Sequence, residues 1–416
     1  MQLKNVTLEL SLKPFRDPSE EAVRSVCLHL FEQWQPLSQY ADVVSVLLWT
    51  ADGSEILEYQ GDPDATFEWA CTIGVANPRR EPPPPEDPNS KSIHNHPYPY
   101  MESPPIFTYG WLKRLVSILK ETGSEVTGKP IRVGETFDPG PEFARSSFKY
   151  ERHPELCLGK TMGPGSMVCC YAKMCADPEP YAGFPNGIAE GTPFGTFLGR
   201  QWQVFLADMG FDYLWLSNGF GFGLETWGLR GAVFDGQTFS SERCAEVRDA
   251  NLEFWQSFRA ECPDVPLETR GTNLSTGMDL SSDAVPLREI YKGGFGLEPP
   301  PNSPWAALNS DFGQELVGWM SHIAEIPGDT FPFRFYTHDP WFLNSPWLDR
   351  YEREPHDIYL PLSVCRLDAE GRPHTPTSIL FLTADDSYGR MPDQVPNEVI
   401  PHVLTAKRDE PDQPGP

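Results

Sequence analysis

Long apolar runs are missing from this chain. No stretch approaches the roughly 18 residues a membrane-spanning helix needs, so no membrane partner is expected. The N-terminus, MQLKNVTLELSLKPF, alternates polar and apolar residues and lacks the continuous apolar block of a secretory leader. Basic residues are scarce. Lys and Arg total 33 against 59 Asp and Glu, a net charge of −26, which repels phosphate backbones and acidic lipid surfaces. A nucleic-acid partner is therefore not expected. Paired cysteine motifs are absent as well. The nine cysteines are odd in number, scattered and without a CxxC pair, a pattern that suits a reducing cytoplasm better than a disulfide framework. Cys157, Cys169, Cys170 and Cys175 cluster, and they read as loop cysteines rather than a zinc site. No internal repeat is visible, and no phosphate-binding glycine fingerprint is convincing. The run Asn218-Gly-Phe-Gly-Phe-Gly223 lacks the GxGxxG spacing and suits a shaped apolar wall.

What is present is a globular composition, 39% hydrophobic, with a core of substantial size. Strand-like and helix-like stretches alternate. Val6 to Lys13 places Val6, Leu8, Leu10 and Leu12 on one face and Thr7, Glu9, Ser11 and Lys13 on the other. Further strands are expected at Val43–Trp49, Pro130–Glu135, Phe211–Asn218, Val265–Arg270, Trp305–Asn309 and Phe331–His338. Ile358–Arg366 and Ser378–Thr383 compete for the eighth place. Helices are expected up to about Gln35, over Tyr109–Thr122, Phe197–Met209, Ser241–Ala260 and Asp311–Ile323, and near Val395–Ala406. Such alternation implies βαβ units on a parallel sheet. The expected fold is a single (β/α)8 TIM barrel over residues 1–406, and a doubly wound sheet is the alternative. Long insertions are expected after strands 2 and 3, at about 51–107 and 137–194, as rim loops. Many of the 44 prolines fall there, including EPPPPEDP at Glu81–Pro88. Residues 407–416 read as a charged, Pro-rich tail.

The barrel is favoured by where the polar residues fall. Strand after strand ends in a polar or aromatic residue: Lys13, Trp49, Glu135, Asn218, Glu268 with Arg270, and His338 with Asp339. In a barrel those ends meet on one rim, where active sites sit. Glu135 in RVGETFDPGP is a candidate general acid, with Asp138 three residues on in a turn. Glu268 and Arg270, two apart, face the same side, so the Arg can keep the Glu ionised as a nucleophile or base; a structural ion pair is the bland alternative. Arg334, Tyr336 and His338 share a face by alternation, and a polar face on a buried strand needs partners. Asp339 and Trp341 follow at once. Asp52, Glu225 and the Asp385-Asp386 pair are further rim carboxylates. His94 and His96 fit surface stacking better than a metal site. Tryptophans, 12 in all, fall often at strand ends and in loops, and indole faces stack on the apolar faces of sugar rings.

Taken together, Glu135 in RVGETFDPGP, Glu268 in LETRGTN and His338-Asp-Pro-Trp341 resemble the broad set of (β/α)8-barrel glycoside hydrolases, over about residues 3–406. The Asn-Glu pair that ends the fourth strand in many of them is absent, because Gly219 follows Asn218. The resemblance implies a glycosidase acting on carbohydrate through paired carboxylates. Glu135 would be acid/base, Glu268 nucleophile or base, and Asp339 the substitute for either. Trp49, Asp52, Asn218, Glu225, Arg270, His338 and Trp341 would bind the substrate. No metal or cofactor is expected in this reading, and oligomeric state is left open. Two other readings stand beside it. One is a metal-dependent sugar isomerase, epimerase or lyase; the other is a non-catalytic carbohydrate-binding barrel.

Overall fold

The alternation along residues 3–11 becomes strand β1, Leu3–Ser11, whose Val6, Leu8 and Leu10 are fully buried. A computed structural model describes residues 2–73, 98–140, 143–158, 167–222, 237–238, 240–270, 285–301, 331–338, 345, 347, 353, 356–367 and 370–409. Six more parallel strands join β1: β2 Ala41–Trp49, β3 Ile131–Phe137, β4 Tyr213–Leu216, β5 Leu267–Thr269, β6 Pro332–Tyr336 and β7 Ser378–Leu382. Their order in the sheet is β6-β7-β1-β2-β3-β4-β5. A single parallel bridge from Leu297 to Leu267 extends the β5 edge. The expected sixth strand, Trp305–Asn309, and the helix after it, Asp311–Ile323, lie outside the described residues. Of the two candidates for the eighth place, Ser378–Thr383 supplies the strand. His356–Ser363 is instead helical.

The sheet is curled. Arg334 of β6 lies 5.5 Å from the Trp215 ring of β4. Five strand steps separate them in the sheet order, which on a flat sheet would span roughly 24 Å. The inner face therefore carries Thr7 and Glu9 of β1, Leu47 of β2, Gly134 of β3, Tyr213 and Trp215 of β4, Glu268 of β5, Arg334 of β6 and Leu380 of β7. Gly134 is required there, because a Cβ would stand 2.2 Å from the Tyr213 ring.

The outer face packs on helices. These are α1 Glu20–Ser38, α2 Ser54–Leu57, α3 Tyr109–Thr127, α4 Phe194–Met209, α5 Cys244–Glu261, α6 Leu287–Lys292, α7 His356–Ser363 and α8 Gln394–Asp409. Helix α1 buries Val23, Cys27, Leu30, Phe31, Trp34 and Leu37, a helical stripe turned toward the sheet. Helix α3 is capped by Thr108, which accepts the Trp111 N–H, and ends at Gly128 in the left-handed region. Between β2 and α3 run α2 and a small strand pair, Thr72–Ile73 with Tyr98–Pro99. Between β3 and α4 lie short turns and a second pair, Lys173–Met174 with Thr192–Pro193. Among the described residues no helix is long and apolar enough to cross a membrane.

Candidate active site

The C-terminal ends of the strands open into a pocket of about 730 Å³, its mouth included. Its lining includes Ser11, Lys13, Trp49, Asp52, Asp138, Asn218, Arg270, Arg334, Tyr336 and Asp385. Asp52 sits in the left-handed region at φ 53°, followed by Gly53 at φ 81°. A Cβ on Gly53 would meet the Phe137 ring at 2.3 Å, so the turn after β2 packs directly on the end of β3. That turn buries the Asp52 carboxyl to 3% exposure. Its Oδ2 accepts the N–H groups of Phe143 (2.7 Å) and Ala144 (3.0 Å), and its Oδ1 has no hydrogen-bond partner. Burial pushes Asp52 up to about 7, with Lys149 pulling it down and Asp138 adding to the rise.

Asp138 continues the inward alternation of β3. Its Oδ1 accepts the Gly140 N–H at 2.8 Å, and its Oδ2 accepts from Asn218 Nδ2 at 2.7 Å. Asn218 Oδ1 in turn accepts from Arg270 Nη2 at 2.5 Å. This chain links the ends of β3, β4 and β5. Lys149 is fully buried behind both aspartates. Its Nζ donates to the backbone carbonyls of Asp52 (2.5 Å) and Asp138 (2.9 Å), tying the two loops together.

On the opposite wall, Asp385 accepts from the Ser11 N–H (2.9 Å) and the Ser11 hydroxyl (2.6 Å), and burial pushes it up to about 6. Below lies an ion pair with both side chains at 0% exposure, Glu9 with Arg334. Arg334 Nε and Nη2 donate to the two Glu9 oxygens at 2.6 and 2.5 Å, and Trp49 Nε1 donates to Glu9 Oε2 at 2.8 Å. Trp49, held this way and edge-on to Phe143 at 5.6 Å, forms an aromatic wall.

Of the residues expected at the rim, Trp49, Asp52, Asn218 and Arg270 line this pocket. Glu135 does not. It shares the parity of Val133 and Phe137, so it points to the outer face, where it is fully buried. Its carboxyl accepts the Thr50 hydroxyl (2.8 Å) and the Thr136 N–H (3.0 Å), and burial pushes it up to about 8. Glu55 is its acidic neighbour there, and both Glu55 oxygens lack partners. Glu268 is on the inner face but toward the other end. It accepts from Arg132 at 3.1 Å beside a cavity of about 610 Å³ that Lys4 and Glu298 also line. Its carboxyl is raised by burial, against the pull of Arg132. Glu268 and Arg270 do share a face, yet Glu268 pairs downward with Arg132 while Arg270 reaches up to Asn218. His338 is buried at the end of β6, its N–H on the Leu382 carbonyl, and is not among the lining residues. Asp339, Glu225 and Trp341 lie outside the described residues, as do His94 and His96.

Asp138, Lys13 and Asp385 were read at the rim without an assigned role, and Glu9 was not read there at all. The usable signal was parity. Positions 132, 134, 136 and 138 share one face, and Glu135 belongs to the other. None of the nine cysteines is joined in a disulfide. Among the described residues no group of three or more His, Cys, Asp or Glu side chains is arranged to hold a metal ion.

No family model matches the sequence. No curated protein matches it either. Solved structures do. The galactosidase domain of the alpha-galactosidase-sucrose kinase AgaSK is similar over 99% of this chain at 12% identity, with a TM-score of 0.43. The GH5_18 protein from Streptomyces cattleya, solved with GlcNAc, is similar over 100% of this chain and 83% of its own, at 8% identity and a TM-score of 0.47. The GH36 alpha-galactosidase AgaA from Geobacillus stearothermophilus matches over 98% of this chain at 12% identity and a TM-score of 0.40. The chain spans about two fifths of the length of the two galactosidases, 41% and 42%. At these identities and scores the likeness concerns the general α/β architecture and carries nothing about activity.

Proposed function

We propose that this chain is a glycoside hydrolase whose active site is the rim pocket, on a sheet that closes into a (β/α)8 barrel. One observation carries the reading: two buried aspartates in different states of hydrogen bonding share a pocket with an aromatic wall. Asp52 is the general acid. Its carboxyl, pushed up to about 7, keeps a proton near neutral pH, and its unpartnered Oδ1 is where that proton resides. Asp138, held through one oxygen by the Gly140 N–H and through the other by the Asn218 amide, acts as nucleophile or base. Asn218 and Arg270 orient Asp138, Lys149 fixes the spacing of the two loops, and Trp49 offers an apolar face to a sugar ring. The catalytic roles expected for Glu135 and Glu268 pass in this reading to Asp52 and Asp138, because only the latter pair faces the pocket.

The test is turnover on a panel of aryl glycosides. Asp52→Asn and Asp138→Asn should each lower kcat by about 100-fold or more. Turnover unchanged in both variants overturns the proposal.

A further inference from the structure

We propose that the rim pocket takes a sugar ring bearing an anionic group, a carboxylate seated on the Lys13 ammonium, so that the substrate class is a uronate-containing glycoside. The inference rests on the pocket being the glycosidase site and adds the chemistry of what it selects.

Lys13 continues the inward alternation of β1 just past its last residue, Ser11. Its N–H is held by the Ser11 hydroxyl at 3.1 Å. Gly389 presses on it from the loop after β7, where an added Cβ would stand 2.5 Å from the Lys13 carbonyl. The side chain lines the pocket at 5% exposure. Every carboxylate near it is engaged elsewhere. Asp385 uses both oxygens on Ser11. Asp386 accepts the N–H groups of Tyr388 and Arg390 and the Arg390 guanidinium. Among the described residues the Lys13 ammonium makes no hydrogen bond and no ion pair. Arg334, in the same wall, is already matched by Glu9.

Burial works against the ammonium and lowers the Lys13 pKa, while the charges of Asp385, Cys71 and Asp386 oppose the drop without a hydrogen bond to it. An anionic group on the ligand, hydrogen-bonded to the ammonium, offsets more of that cost. One ammonium beside an aspartate matches the single charge of a carboxylate better than the double charge of a phosphate ester. Neutral hexoses bring only hydroxyls and no charge to set against the ammonium.

The experiment is titration calorimetry of the full chain with glucuronate, galacturonate, glucose, galactose and glucose 6-phosphate. It is run on the wild type, Lys13→Met and Lys13→Arg. A uronate should bind about tenfold or more tighter than its parent hexose. Lys13→Met should bring the two within about twofold, and Lys13→Arg should keep most of the preference. Equal affinity for uronate and hexose in the wild type overturns the proposal, as does a preference that survives in Lys13→Met. Tighter binding of the 6-phosphate, lost in Lys13→Met, overturns the carboxylate assignment. A parallel assay on aryl uronides separates the two readings. Uronate binding through Lys13 without hydrolysis supports the anion seat and refutes the hydrolase; cleavage of neutral glycosides with no uronate preference does the reverse.

Discussion

Breaking the Glu9–Arg334 pair from one side should destabilise the protein strongly, and removing both partners should cost less than removing either. The pair has 0% exposure on both sides and two parallel hydrogen bonds of 2.6 and 2.5 Å. At about 4 Å between charge centres and an effective dielectric near 20, the attraction is about 4 kcal/mol. Glu9→Leu leaves the guanidinium buried without that counter-charge, and Arg334→Leu leaves the carboxylate so. Either should cost roughly 3–5 kcal/mol. In the double variant neither charge needs solvation, and two leucines can pack beside Leu47, Trp215 and Leu380, the apolar patch on the same inner face. The assay is urea unfolding followed by circular dichroism on all four chains, comparing midpoints at constant slope. A double variant as destabilised as the sum of the singles would refute the reasoning, because the pair would then be two independent packing contributions. Glu9→Leu also frees the Trp49 indole, so it should weaken the sugar binding proposed for the pocket even where the protein stays folded.

Two further outcomes follow from the buried groups. The carboxyls of Asp52, Glu135 and Asp385 are raised to about 7, 8 and 6, so the folded state holds protons that the unfolded chain has released. The stability they confer is complete below about pH 4 and is lost as the pH climbs through about 6 to 8. Glu135→Gln, a mimic of the protonated acid, should therefore melt higher than the wild type at about pH 9 and near it at about pH 4; parallel melting curves across that range would refute this. Gly134→Ala places a Cβ 2.2–2.6 Å from the Tyr213 ring, which also has Arg132 at 4.5 Å. It should cost about 1–3 kcal/mol in denaturant unfolding, part of it recovered by Tyr213→Leu, and an unchanged midpoint would show that the ring can move aside.

The alternation of β1 was legible from the residues alone, because Val6, Leu8 and Leu10 separate from Thr7, Glu9 and Ser11 at period two. Which face turns inward was not, because both faces are buried and burial by itself does not point. The partners decide it. Arg334, Tyr336 and His338 signalled a polar face in need of company, and the company comes from Glu9, more than three hundred positions earlier, a pairing no local pattern encodes. The same ambiguity governs the carboxylates. Standing at a strand end is not enough, since a residue there is aimed into the pocket or away from it by parity. In β3 the presence of Gly134 opposite the Tyr213 ring marks positions 132, 134, 136 and 138 as inward. Asp138 therefore lines the pocket, and Glu135 belongs to the layer between sheet and helices. Depth is the second coordinate. Glu268 has the right parity but lies one inward residue below Arg270, about 6.6 Å along the strand, which hands it to Arg132. Face and depth together, rather than residue type at a strand terminus, select which acids reach the pocket.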